Sequence, residues 1–308
     1  MSDVVAAASK STETKAAAGQ SPFMASWRRY NRNKLAIAST IMLMLIVLAC
    51  FGGPLLFPYG PEDYDFENIS APVNLFSLHP FGTDDFGRDL LLLVLTGGRV
   101  SLAVGFVGAF AAVIIGVIYG AAAGYVGGRL DNFLMRTVDV LYGIPYFFLV
   151  VLINLWVERG TFGLLTSIIV VLWLTPAVIA RGQAVSLRHR EFVDAARAGG
   201  MTEWQIIFRH ILPNVMGPVV VMAASNFASA ILTEAGLSFL GIGAQPPIPS
   251  WGEMINAHHG YILMDKAYLA FTPGIAIMIL VLSFMMVGNG LRDALDSRMT
   301  DDKPIGNI

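Results

Sequence analysis

The sequence predicts an all-α, polytopic membrane protein with six transmembrane helices, and three observations carry that prediction. Hydrophobic residues make up 55% of the 308 and charged residues only 14%, where a soluble domain carries about 25%. Mean hydropathy is +0.64. Six apolar stretches, at 35–57, 100–123, 134–157, 164–179, 216–240 and 267–287, approach or exceed the roughly 20 helical residues that cross a bilayer. The fourth is the shortest.

Ahead of the first span, residues 1–20 are small, polar and low in complexity, which predicts a disordered tail without a cleavable signal. The stretch SPFMASWRRYNRNK mixes aromatic and basic residues. It suits an amphipathic helix on the membrane surface, or a simple positively charged flank. The expected organisation is a tail and surface helix over 1–33, a six-helix transmembrane domain over 34–290 and a tail over 291–308.

Basic residues set the expected orientation. Arg28, Arg29, Arg32 and Lys34 precede span one; Arg129 and Arg136 lie between spans two and three. Arg181, Arg188, Arg190, Arg197 and Arg209 lie between spans four and five, and Arg292 and Arg298 follow span six. The loop over 58–97 is instead acidic, with Glu62, Asp63, Asp65, Glu67, Asp84, Asp85 and Asp89. The positive-inside rule then places both termini and the segment 182–213 in the cytoplasm, and the loops 58–97 and 242–266 outside.

Several classes of chemistry are excluded. Net charge is −2, so there is no basic signature for nucleic acid. A lone Cys50, in an apolar run, excludes an internal disulfide and a multi-cysteine metal site. The sequence contains no G-x-x-x-x-G-K-[ST] phosphate loop, H-E-x-x-H or G-x-S-x-G. His258 and His259 are adjacent, so their side chains diverge and a shared metal is not expected.

The segment 182–213 is a polar, helical insert between two apolar spans, and so a candidate docking site. A first helix is predicted from Glu191 to Gly199, with Phe192, Ala195 and Ala196 near one face. Gly199-Gly200 breaks it, and Thr202 with Gln205 forms a capping box that restarts the chain. The second helix runs to about His210, with Ile206, Ile207 and Phe208 partly buried, and Pro213 opens the next span. Ala195, Ala196 and Gly200 are small enough to admit another backbone, and Asp194, Arg197 and Arg209 can orient a partner. Two uses stay open: a docking site, or a hairpin packed beneath its own bundle.

Ionisable groups inside the spans are few. Asp139 can pair with Arg136 at i,i+3. Glu158 and Arg159 sit in a short, solvated outer turn. Asn226 is expected to bond a neighbouring helix. Glu234 lies deep in span five, where a carboxylate is costly unless it faces water or a partner. It lines a path, bonds across helices, or stays protonated and passive.

The pattern Asp194-Ala195-Ala196, three residues, Gly200, nine residues, His210-Ile211-Leu212-Pro213 closely resembles the EAA loop of ABC importer permeases, with Asp194 where the family usually has Glu. HPFGTDDFGRDLLLLVLTGGRVSL, RGQAVSLRHREFVDAARAGG, LSFLGIGAQPPIPSWG and GNGLRDALDSR resemble the C-type permease of oligopeptide and dipeptide importers, and the resemblance covers nearly everything after residue 25. It implies a type I ABC importer permease fold in a bacterial inner membrane. It also implies a coupling loop that docks on an ATPase through Glu191, Asp194, Ala195, Ala196, Arg197, Gly200, His210 and Pro213. Glu234 and Asn226 would lie on the translocation path. The implied partners are a homologous B-type permease, two cytoplasmic ATPases that bind ATP and Mg, and a periplasmic substrate-binding protein. No chemistry would occur in this chain, and peptide is the expected cargo, with nickel complexes or glutathione as alternatives. An ion-gradient transporter would show an inverted repeat, which the sequence lacks. A membrane scaffold or receptor would need neither an ATPase nor a lumen carboxylate.

Overall fold

The computed structural model describes residues 22–157, 160–245 and 249–295. The expected disordered tail, the turn at Glu158 and Arg159, and the end of the chain with Arg298 lie outside them. Within the described residues the regular elements are helical, apart from an isolated bridge between Thr83 and Asp89.

Helix α1 (Pro22–Arg32) precedes the first span, and its Tyr30 packs against Ala36 and Ala294. Helix α2 (Lys34–Gly52) continues through a 3-10 turn, Gly53–Leu56. Asn33 caps α2 by accepting from the Ala36 amide at 3.1 Å. Only Ala36 and Cys50 are buried along it, so an apolar helix stays uncovered by its own chain, as lipid solvent requires.

Helix α3 (Leu90–Val126) begins ten residues before the predicted span. The Asp89 carboxylate caps it, accepting from the Leu92 amide at 2.8 Å. Gly97 and Gly98 form a packing surface on the first turns of α3. Gly98 lies against Cys50 and Trp251, and Arg99 donates to the carbonyls of Cys50 at 2.7 Å and Phe51 at 2.9 Å.

The predicted third span is not one helix. Helices α4 (Gly128–Tyr142) and α5 (Tyr146–Val157) meet at 92° across residues 143–145. Pro145 has no amide hydrogen and disfavours a helical Ile144 before it, so an unbroken apolar run still breaks there. Among the described residues there are thus five helices long and apolar enough to cross a membrane, or six if the bent pair counts as one span.

Helices α6 (Thr161–Leu172) and α7 (Leu174–Leu187) form one 27-residue span, longer at both ends than 164–179. Arg181 is helical rather than in a loop because it meets Asp131 in a bidentate pair, Nε to Oδ1 at 2.6 Å and Nη2 to Oδ2 at 2.7 Å. Helix α3 packs on this span through Gly116, Gly120 and Gly124, which face the carbonyls of Trp173, Ala177 and Arg181. The order then runs α8 (Glu191–Ala198), α9 (Glu203–Ile206), a π segment Ile207–Ile211, α10 (Leu212–Phe239), α11 (Trp251–His258) and α12 (Tyr268–Leu295).

The acidic loop ahead of α3 folds into an ordered cap. Asp84 accepts from the amides of Phe86 and Arg88 at 2.9 Å each and from Arg88 Nε at 2.7 Å. Lys266 ties it to the segment before α12, donating to Ser70 at 2.8 Å and Asp85 at 3.1 Å. Buried His79 presents Nδ1 to Asp89 at 2.7 Å and Nε2 to Asp65 at 3.2 Å. Only imidazolium donates from both nitrogens. Burial opposes the charge, but both carboxylates outweigh it and raise the His79 pKa. Burial and the same Asp89, 3.1 Å away, push the Tyr59 hydroxyl up to about 12.

Candidate functional site

The loop between α7 and α10 is built as a helical hairpin with two unlike faces. Inward, Val193, Ala196, Ile206, Ile207 and Ile211 are buried against Val113, Val117, Ala121 and Tyr125 of α3 and Ala180 and Ala184 of α7. Outward, Glu191, Asp194, Ala195, Arg197, Gly200 and Pro213 are all exposed, whereas Ala196 points into the bundle. The hairpin therefore packs beneath its own chain on one side and leaves the other bare.

Its turn is set by glycine. Gly200 has φ +79°, in the left-handed region where an L side chain is strained. The Gly200 amide donates to Arg197 O at 3.0 Å, and the Met201 amide reaches back to Ala196 O at 3.2 Å. The predicted capping box is present. Gln205 N donates to Thr202 Oγ1 at 3.4 Å, and Thr202 N donates to Gln205 Oε1 at 2.9 Å. Arg197 fastens the hairpin to α3, donating to the Tyr125 hydroxyl at 3.2 Å, and pairs with Asp194 at 3.2 Å.

Aromatic side chains dominate the bare face. Phe192 is 38% exposed, Trp204 62% and Phe208 52%. The Trp204 and Phe208 rings lie 6.3 Å apart, as do those of Phe192 and His210. Phe208 does not join Ile206 and Ile207 inside. At i,i+4 from Trp204 it shares the outer face, which the spacing Trp204-x-x-x-Phe208 signals in the sequence. His210 sits in the π segment with a buried Nε2 that has no partner among the described residues.

The two residues expected on the path lie inside the chain. Asn226 is 6% exposed and donates to the Leu172 carbonyl at 3.3 Å, a bond across helices. Glu234 is fully buried; Ser238 Oγ donates to its Oε1 at 2.8 Å and accepts from the Ala244 amide at 3.0 Å. In this conformation Glu234 anchors the segment after α10. Glu234→Ala removes that anchor and is expected to cost about 1–3 kcal/mol of stability. Glu234→Gln keeps an acceptor and should melt close to wild type. Thermal unfolding in detergent compares them, and equal melting of the Ala variant and wild type would show that the bond contributes nothing.

Comparison with known proteins agrees with this construction. Residues 112–301 match the family model described as binding-protein-dependent transport system inner membrane component, and residues 21–75 match the N-terminal TM domain of oligopeptide transport permease C. The chain is 41% identical over 280 residues to the oligopeptide transport system permease protein OppC of Haemophilus influenzae, covering 91% of this chain and 90% of that one. It is 37% identical over 273 residues to the dipeptide transport system permease protein DppC of Bacillus subtilis, covering 89% and 85%. It is 34% identical over 281 residues to the glutathione transport system permease protein GsiD of Pectobacterium atrosepticum, covering 91% and 92%. A chain of the MetNI methionine ABC transporter in an inward-facing conformation superposes with a TM-score of 0.51 at 22% identity, covering 66% of this chain and 96% of that one, and so shares its fold. With its bundle, its loop and these relatives together, the chain belongs to the binding-protein-dependent transport system inner membrane components, the family of ABC importer permeases.

Proposed function

We propose that this chain forms half of the membrane channel of an ATP-driven peptide importer in a bacterial inner membrane, with both termini cytoplasmic. The other half is a homologous B-type permease, and a periplasmic binding protein delivers cargo. Peptide is the favoured cargo because relatives at 41% and 37% identity are named for oligopeptide and dipeptide transport. The ABC relatives and fold leave an ion-gradient mechanism unfavoured.

The observation that carries this reading is the two-faced hairpin. Its inner face is locked to α3 and α7, so a push on its bare face is transmitted to the spans. Two cytoplasmic ATPases supply that push by binding ATP and Mg and hydrolysing the nucleotide. This chain contributes the docking surface, and its bundle alternates between openings on either side of the membrane.

Aromatic anchors in a desolvated contact dominate interface energies, at about 2 kcal/mol or more each. The double variant Trp204→Ala, Phe208→Ala is therefore expected to weaken association of the ATPases by more than tenfold while the chain still runs as a folded species in size-exclusion chromatography. Undiminished co-purification and uptake would remove the docking role from this face.

A further inference from the structure

The break between α4 and α5 lies at membrane depth and faces out of the chain. Depth follows from two bonds. Tyr142 meets the Thr175 hydroxyl at 2.9 Å, and Thr175 is the fifteenth of the 27 residues in the span Thr161–Leu187. Past the break, Tyr146 meets the Thr233 hydroxyl of α10. Exposure is continuous: Val140, Tyr142, Ile144, Tyr146 and Phe147 are 61%, 51%, 37%, 41% and 43% exposed, and Gly143 and Pro145 are exposed as well. Among the described residues nothing pairs with the carbonyls of Tyr142, Gly143 and Ile144 or the amides of Tyr146, Phe147 and Phe148. Non-helical backbone at that depth survives only against protein or water, never against lipid.

A second observation points to water. Asp131, on the loop side of α4, is level with Arg181, nearer the end of the same span. Arg136 and Asp139 therefore lie on α4 between that level and the midpoint marked by Thr175. Their side chains are 80% and 62% exposed and only 3.9 Å apart, too long for a strong pair. Charges at this depth face a cavity or a partner. A protein partner would have to supply three donors, three acceptors and two counter-charges in register, whereas water satisfies all of them.

We propose that α4, the break and the start of α5 line the aqueous passage, and that Arg136 and Asp139 receive the carboxylate and ammonium ends of a zwitterionic peptide. The proposal rests on the peptide-importer reading and locates its cargo contacts away from Glu234 and Asn226, which are buried within the chain. Each charge acts on one terminus, and each is exposed enough to let go again, as transit requires.

The test uses the complete transporter, both permeases with ATPases and binding protein, made cysteine-free with Cys50→Ala here and reconstituted in proteoliposomes. Ile144→Cys should react with a charged, water-soluble thiol reagent, and its rate should change several-fold when ATP and loaded binding protein are added. Leu48→Cys, 67% exposed on α2, is the lipid-facing control and should stay unmodified. An Ile144→Cys that never reacts overturns the passage. For the charges, peptides that the binding protein holds with equal affinity are compared. Asp139→Asn should lower uptake of the free-amine peptide about tenfold and spare its N-acetylated form; Arg136→Gln should do the same for free carboxylate against amide. Uptake unchanged in both variants overturns the cargo contacts. A wild-type complex without ATP-dependent peptide uptake overturns the importer reading itself, an outcome visible before any variant is made.

Discussion

Gly200→Val uncouples transport: peptide uptake falls at least about tenfold, while the chain inserts normally and the ATPases lose their stimulation by the loaded binding protein. The cause is the backbone. Nothing lies within 4 Å of a Cβ placed at Gly200, so no clash arises, but φ is +79°. A side chain there costs roughly 1–2 kcal/mol, and a β-branched one more. About 1.4 kcal/mol is a tenfold shift in an equilibrium. Relaxing the strain means giving up the bonds from Gly200 N and Met201 N that turn α8 into α9, and the bare aromatic face then loses its shape. Gly200→Asn is the control, since asparagine enters the left-handed region most readily among the other residues, and it should recover most of the uptake. Normal, stimulated uptake by the Val variant would reduce the hairpin to scaffolding.

Gly120→Leu should be the most damaging single change in the bundle. A Cβ at Gly120 would overlap the Ala177 carbonyl oxygen, and Gly116 and Gly124 meet the main chain of the same span one turn away on each side. Ordinary overpacking costs about 1–3 kcal/mol because side chains yield. Here the obstacle is backbone, so the helices must part, and close approach through small residues is what holds spans together in lipid. The expected result is no monodisperse protein in fluorescence-detected size exclusion. Gly217→Leu, where nothing lies within 4 Å of the added carbon, should behave as wild type. A well-folded Gly120→Leu would mean that α3 and the Thr161–Leu187 span pack differently.

The spans were legible because lipid demands apolar runs, but their ends were not, because tertiary partners set them. Asp89 starts α3 early by capping it, and Arg181 stays helical because Asp131, fifty residues away, neutralises it. Gly143-Ile144-Pro145 carried the break openly, yet a hydropathy sum over 134–157 does not notice a missing amide hydrogen. In the hairpin, local signals sufficed for the glycine turn and the capping box. They did not say which side of α9 and the π segment faces out, since both sides are apolar and only burial against α3 and α7 decides that Ile206 turns in and Phe208 out. Glu234 shows the same limit. Sequence marks it as costly, and only the fold shows that Ser238 satisfies one oxygen.

Helix α3 has a mechanical consequence. It is a single rod of 37 residues, about 55 Å long at 1.5 Å per residue, against a hydrocarbon layer of about 30 Å. One end is clamped by Asp89 to His79 in the acidic cap, and Tyr125 at the other is gripped by Arg197 in the hairpin. The two ends of the protein are thus joined by a lever with its fulcrum among the glycines packed on Ala177. A tilt of about 10° about Gly120 swings the cap end, about 45 Å away, by about 8 Å and the hairpin end, about 9 Å away, by about 2 Å in the opposite direction. Seating a loaded binding protein above and closing ATPases below would then be strokes of one beam, with no relay of side chains needed between them.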